Sequence, residues 1–171
     1  GPIRTTLMLE GPYVDQAGKQ WLGYRVRVTV FAGSKRVRIE HSLRNSHAGA
    51  VRHVKVKDAH LRLGVAGAGK GSTDGDHLSA GPVWVKHRLL SGYFSPGLHE
   101  LSADAGVLTM AVVPLYEGKW DPRSHRGYNP NEGGDYNPGD TGSWWLYDCA
   151  YKIDEYWLSL EGGDAALAKA L

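Results

Sequence analysis

The chain has 171 residues, 42% of them hydrophobic, with 20 Lys and Arg against 18 Asp and Glu and a net charge of +2. That length is enough for one domain with a sizeable core, and the near balance of charge excludes the strongly positive face of a nucleic-acid binder. Cys149 is the sole cysteine, which excludes an intrachain disulfide or a cysteine-built metal site, and no run is long and apolar enough to cross a bilayer.

Gly1-Pro2 reads as the remnant of a cleaved expression tag, which would make the chain one piece of a longer protein. Ile3, Thr5, Leu7 and Leu9 alternate and predict a first strand, stopped by Gly11-Pro12, with a turn over Asp15 to Lys19. From Tyr24 to Leu43 the pattern predicts two strands joined by Ala32-Gly33-Ser34-Lys35. Tyr24, Val26, Val28 and Val30 share one face with Val37, Ile39, His41 and Leu43, while Arg25, Arg27, Arg36, Arg38, Glu40, Ser42 and Arg44 form a basic strip on the other. On composition alone that strip reads as solubility and edge protection.

Val51 to Val65 reads as one long strand whose apolar phase slips between Val54, Val56 and Leu61, Leu63, predicting a bulge near Asp58-Ala59. Gly64 to Gly81 reads as loop, Val83 to Leu90 as a strand ended by Gly92 to Gly97, and Val107 to Tyr116 as a central strand covered on both faces, with a break at Pro114. Glu117 to Ser143 has no periodicity, and Trp144 to Leu160 predicts two strands or one bent around Asp148-Cys149-Ala150. Asp164 is an N-cap type residue before the helix formers Ala165 to Leu171, which predicts the start of a helix leading toward an absent helical domain. The expected fold is all-β: a two-layer antiparallel β-sandwich, supersandwich or jelly-roll-like, over residues 3–163, with a short C-terminal helical segment over 164–171.

Six Trp and nine Tyr against two Phe favour amphipathic rings near the surface. The aperiodic loop concentrates Trp120, Arg123, His125, Arg126, Tyr128 and Tyr136, with Trp144 at its exit. A sugar needs a flat apolar platform, planar hydrogen-bonding groups and, when acidic, a cation for its carboxylate, so these seven residues are the candidate substrate-binding set. The same loop repeats Tyr-Asn-Pro at 128 and 136 and offers many Asp and Asn oxygens, around which one Ca²⁺ could be held, although the helix-loop-helix calcium spacing is missing. His41 reads as a core residue satisfied by one hydrogen bond; the alternative is proton transfer beside a uronic acid carboxylate. Gly67-Ala68-Gly69-Lys70-Gly71-Ser72 lacks P-loop spacing.

Tyr24 to Ser34 followed by Val37 to Leu43, with Glu10-Gly11-Pro12 before them and Lys152-Ile153-Asp154-Glu155-Tyr156-Trp157 near the end, resembles the central β-sandwich domain of exo-rhamnogalacturonan lyase-like proteins. Asp154 stands where that family has His. The resemblance implies a polysaccharide lyase-like, carbohydrate-active parent in which a helical toroid follows the sandwich and supplies most of the cleft. This module would then contribute aromatic and basic residues to glycan binding without catalysing alone. Its partners would be a polysaccharide or acidic oligosaccharide and the adjacent helical domain, with no nucleic acid and no membrane, in a compartment left open but with an extracellular or periplasmic setting favoured. The alternative is a structural or adhesion module of a larger surface or phage-tail assembly.

Overall fold

A strand with one wet and one dry face commits its partner to the same phase, because a slip by one residue would turn every apolar side chain outward. That constraint is met by β1 (Arg4–Val14), β2 (Gln20–Phe31) and β3 (Arg36–Arg44), which pair antiparallel in succession. The computed structural model describes residues 3–14, 16–45, 53–56, 58–73, 76–89, 101–113, 144–147 and 151–161. Among them the remaining strands are β4 (His53–Val56), β5 (Ala59–Gly64), β6 (Gly71–Thr73), β7 (His77–Ala80), β8 (Val83–Leu89), β9 (Leu101–Asp104), β10 (Val107–Val113), β11 (Trp144–Tyr147) and β12 (Tyr151–Ser159), with no helix.

The strands form a six-stranded antiparallel sheet in the order β1-β2-β3-β12-β8-β7, a four-stranded one in the order β5-β10-β9-β6, and the pair β11-β4. Val26, Ile39, Val85, Tyr156 and Leu158 of the first sheet meet Leu101, Ala103, Leu108 and Met110 of the second in one buried cluster, so the fold is all-β and sandwich-like. A second cluster joins Leu22 and Leu43 to Val112 and Val113, with Val54 and Val56 of β4 packed against it.

Three expectations need correction. β1 does not stop at Gly11-Pro12 but runs through them, with a register shift only between Pro12 and Val14. An edge strand tolerates a proline that donates nothing, and Gly11 leaves room for Tyr24, whose hydroxyl would lie 3.0 Å from any added Cβ. Val51 to Val65 is not one bulged strand; the phase slip marks a change of sheet, since β4 pairs with β11 and β5 with β10. The segment 64–81 is not all loop, because it holds the short strands β6 and β7.

Among the other described residues the pattern holds. Gly33 takes φ 71° in the hairpin turn, β8 keeps its predicted faces, β10 is central, and Trp144 to Leu160 divides into two strands. The predicted helix over 164–171 lies outside the described residues.

Candidate functional site

The register of the six-stranded sheet builds two polar assemblies from opposite phases of the same strands. On the inner phase, Lys152, Asp154, Tyr156 and Leu158 of β12 stand against Leu43, His41, Ile39 and Val37 of β3, and Tyr156 stands against His87 of β8. Asp154 has no exposed surface, and His41, His87 and Lys152 are all buried with it. Buried charge is tolerated only when paired and hydrogen-bonded. His87 Nε2 lies 2.9 Å from an Asp154 carboxylate oxygen, and the Lys152 ammonium donates to both oxygens.

The Tyr156 ring stacks on His87 with centroids 4.8 Å apart, and its hydroxyl donates to the Ala111 carbonyl of β10 at 3.2 Å. Burial pulls the Asp154 carboxyl upward, but the His87 hydrogen bond and the Lys152 charge outweigh it and hold the group below the usual carboxylate range. Burial pushes the Lys152 ammonium down against the opposing pull of Asp154, and it lifts the Tyr156 hydroxyl well above its ordinary value. His41 Nε2 meets the Tyr13 hydroxyl at 3.3 Å, while its buried Nδ1 has no partner among the described residues. Burial depresses this imidazole to about 4, with Lys152 adding to the effect and Asp154 opposing it. His41 is therefore a neutral core histidine held by one hydrogen bond. At 2% exposure its side chain is closed off from solvent.

The outer phase carries the basic strip. Across the sheet the rows run Glu10, Arg25, Ser42, Ile153; then Met8, Arg27, Glu40, Glu155, Arg88; then Thr6, Thr29, Arg38, Trp157, Lys86. Glu155 is nearly fully buried and anchors the middle: Arg38 bonds it at 2.6 Å and the Trp157 indole donates to it at 2.8 Å. Trp157 in turn stacks on Phe31 with centroids 5.8 Å apart. Beside this ordered patch, Arg25, Arg27, Glu40, His41, Ser42, Arg44, Tyr151 and Ile153 line a shallow groove of about 420 Å³. It shares Arg25 and Arg44 with a second depression of about 440 Å³ toward Glu10, Gly11, Gln20 and Trp21. Tyr151 is 60% exposed, so its ring is open to a ligand. Arg25 is already paired with Glu10 at 2.9 Å, which leaves Arg27 and Arg44, with the open aromatic ring, as the groups best suited to an anionic or hydroxyl-rich ligand.

Comparison with known proteins bears on this same sheet. Residues 1–61 match the family model of the PcRGLX-like protein central beta sandwich domain. The match covers β1, β2, β3 and β4 and the start of β5, and it agrees with the resemblance carried by the hairpin. It is a match to a β-sandwich from a rhamnogalacturonan lyase-like protein. Neither a curated protein nor a solved structure matches the chain.

Of the predicted binding residues, Trp120, Arg123, His125, Arg126, Tyr128 and Tyr136 lie outside the described residues, as does the oxygen-rich segment that could hold Ca²⁺. The backbone of Trp144 pairs with Val56 at the start of β11. Among the described residues, no group of three or more His, Cys, Asp or Glu could hold a metal ion. Sequence reasoning missed the buried Lys152-Asp154-His87 cluster. Its signal was the placement of Lys152 and Asp154 in phase with Tyr156 and Leu158, on the face that had to enter the core.

Proposed function

We propose that the chain is the sandwich module of a polysaccharide lyase-like, carbohydrate-active protein and that it binds an acidic glycan along the outer face of the six-stranded sheet. The observation that carries this reading is the groove in which Arg25, Arg27 and Arg44 stand beside the open ring of Tyr151. The family match over residues 1–61 supports the lyase-like setting. Guanidinium forks suit the carboxylate of a uronic acid, and the tyrosine ring suits the C–H face of a sugar. Trp120, Arg123, His125, Arg126, Tyr128, Tyr136 and Trp144 are proposed as further glycan-binding residues. The module binds and positions, and the proton-transfer chemistry of a lyase resides in the rest of the parent protein.

Titration calorimetry with acidic polysaccharides tests the proposal. Binding is expected for the parent chain, weakened at least tenfold by Arg27→Ala combined with Arg44→Ala, about 1.4 kcal/mol. No heat with any acidic polymer, or binding indifferent to these changes and to Trp120→Ala and Arg123→Ala, would favour a structural or adhesion module instead.

A further inference from the structure

We propose that the outward edge of β1 is a homodimer interface, in which two copies of this chain pair antiparallel about a two-fold axis through Leu7. β1 is an edge strand of eleven residues; one side pairs with β2, and among the described residues no strand pairs with the other. Such edges are ordinarily blunted by charge, proline or a bulge. Between Thr5 and Leu9 there is none of these, and the one register shift lies between Pro12 and Val14. The stretch is apolar and wet: Leu7 is 59%, Met8 53% and Leu9 49% exposed. Leu7 and Leu9 share the face of Val28 and Val26, their partners on β2, so the apolar layer of the sheet reaches the edge uncovered.

The sequence of the strand says what fits there. In a two-fold antiparallel pair the axis must pass through a residue, because facing side chains must lie on the same face of the sheet. Residues equally far from that axis then oppose each other. With the axis at Leu7, Leu7 meets itself, Thr6 meets Met8, Thr5 meets Leu9, and Arg4 meets Glu10 in both halves. Moving the axis to Thr6 or Met8 sets Arg4 against Met8 or Pro12 and breaks the charge pairing. Arg4 and Glu10 are both exposed on the outer phase of the strand; Glu10 already accepts from Arg25 of its own chain at 2.9 Å, and its side chain, 53% exposed, keeps acceptor capacity for Arg4 of the second copy. The two six-stranded sheets would become one continuous sheet, which also carries the Arg25 to Tyr151 groove of each copy on a common face.

Sedimentation equilibrium of the 171-residue chain over a concentration series tests this directly. A monomer–dimer equilibrium is expected. Arg4→Glu and Glu10→Lys should each raise the dissociation constant about tenfold by setting like charges opposite one another. An equimolar mixture of the two variants should recover the parent affinity, because every facing pair is then of opposite sign. In a Cys149→Ser background, Leu7→Cys should crosslink on mild oxidation more readily than Thr5→Cys. Arg4, Thr5, Leu7 and Glu10 are exposed, and far-UV circular dichroism checks that each variant keeps its strands. A monomer at every concentration, a dimer indifferent to both charge changes, or a mixture that stays monomeric overturns the proposal.

Discussion

Lys152 and Asp154 stand two residues apart on the inward face of β12, and the ammonium of the first donates to both carboxylate oxygens of the second with almost no water in reach. A buried pair of this kind gains little over an apolar replacement but is costly to break. Asp154→Asn, which leaves the Lys152 charge without its counter-ion, should therefore destabilise the chain by about 3–5 kcal/mol. The double change Lys152→Met with Asp154→Leu should recover part of that loss, because it removes both charges but also the Asp154 hydrogen bond of His87. Urea unfolding of the parent and the two variants measures both; a single variant within about 1 kcal/mol of the parent would show that water or another group serves Lys152 instead.

The imidazole of His41 carries a pH dependence of known sign. Its folded value of about 4 lies below the ordinary histidine value of 6.5, so the unfolded chain binds the extra proton first. Stability from this group is fully present above about 6.5 and is lost progressively as pH falls toward about 4, by an amount of order 3 kcal/mol. Asp154 titrates below that window, because its carboxyl is held down. Urea midpoints between pH 7 and 4 should fall more steeply for the parent than for His41→Gln. Parallel curves would mean that another histidine governs the acid limb.

Ring contact and charge contact on the outer face should separate by salt. If Tyr151 supplies a platform, Tyr151→Phe keeps glycan affinity while Tyr151→Ala loses about 1 kcal/mol. If Arg27 and Arg44 supply charge, affinity should drop as ionic strength rises and the alanine variants should be less sensitive to it. Calorimetry at two salt concentrations reads both. Equal salt dependence in parent and variants would remove the arginines from the contact.

The β9–β10 hairpin closes through Ala105 at φ 47° and Gly106 at φ 78°, with Asp104 opposite Val107. Two successive left-handed residues are the geometry that Asn-Gly meets best, whereas alanine is strained there. Ala105→Asn should stabilise the chain by about 0.5–1 kcal/mol, seen as a higher melting temperature. A lower one would mean that the asparagine side chain is excluded from the turn.

Where one face of a strand is dry and the other wet, the alternation of residues was enough: Val26 and Ile39 against Arg27 and Arg38 predicted both the hairpin and its outer basic face. The same signal was ambiguous at Val54 to Leu63, since a phase slip arises equally from a bulge within one sheet and from a step between two. β6, β7 and β9 escaped notice because three or four residues are too few for a period to be read, even where β7 and β9 alternate. The buried cluster was hidden for another reason. Lys152 and Asp154 are residue types expected in water, and only the pairing of β12 with β3 and β8 reveals that they neutralise each other and His87 inside. The sequence placed the arginines of the groove on the outer face but read them as solubility and edge protection; their convergence with Tyr151 depends on a partner strand more than a hundred positions away.

That partner strand has a consequence for how the molecule comes into being. β12 fills the middle of the larger sheet, between β3 and β8, yet it is the last strand of the described chain. During synthesis the β1-β2-β3 meander must wait, with the β3 edge unpaired, until β12 has emerged more than a hundred residues later. Closure over so long a span is slow, and the waiting intermediate is the species most in need of a chaperone.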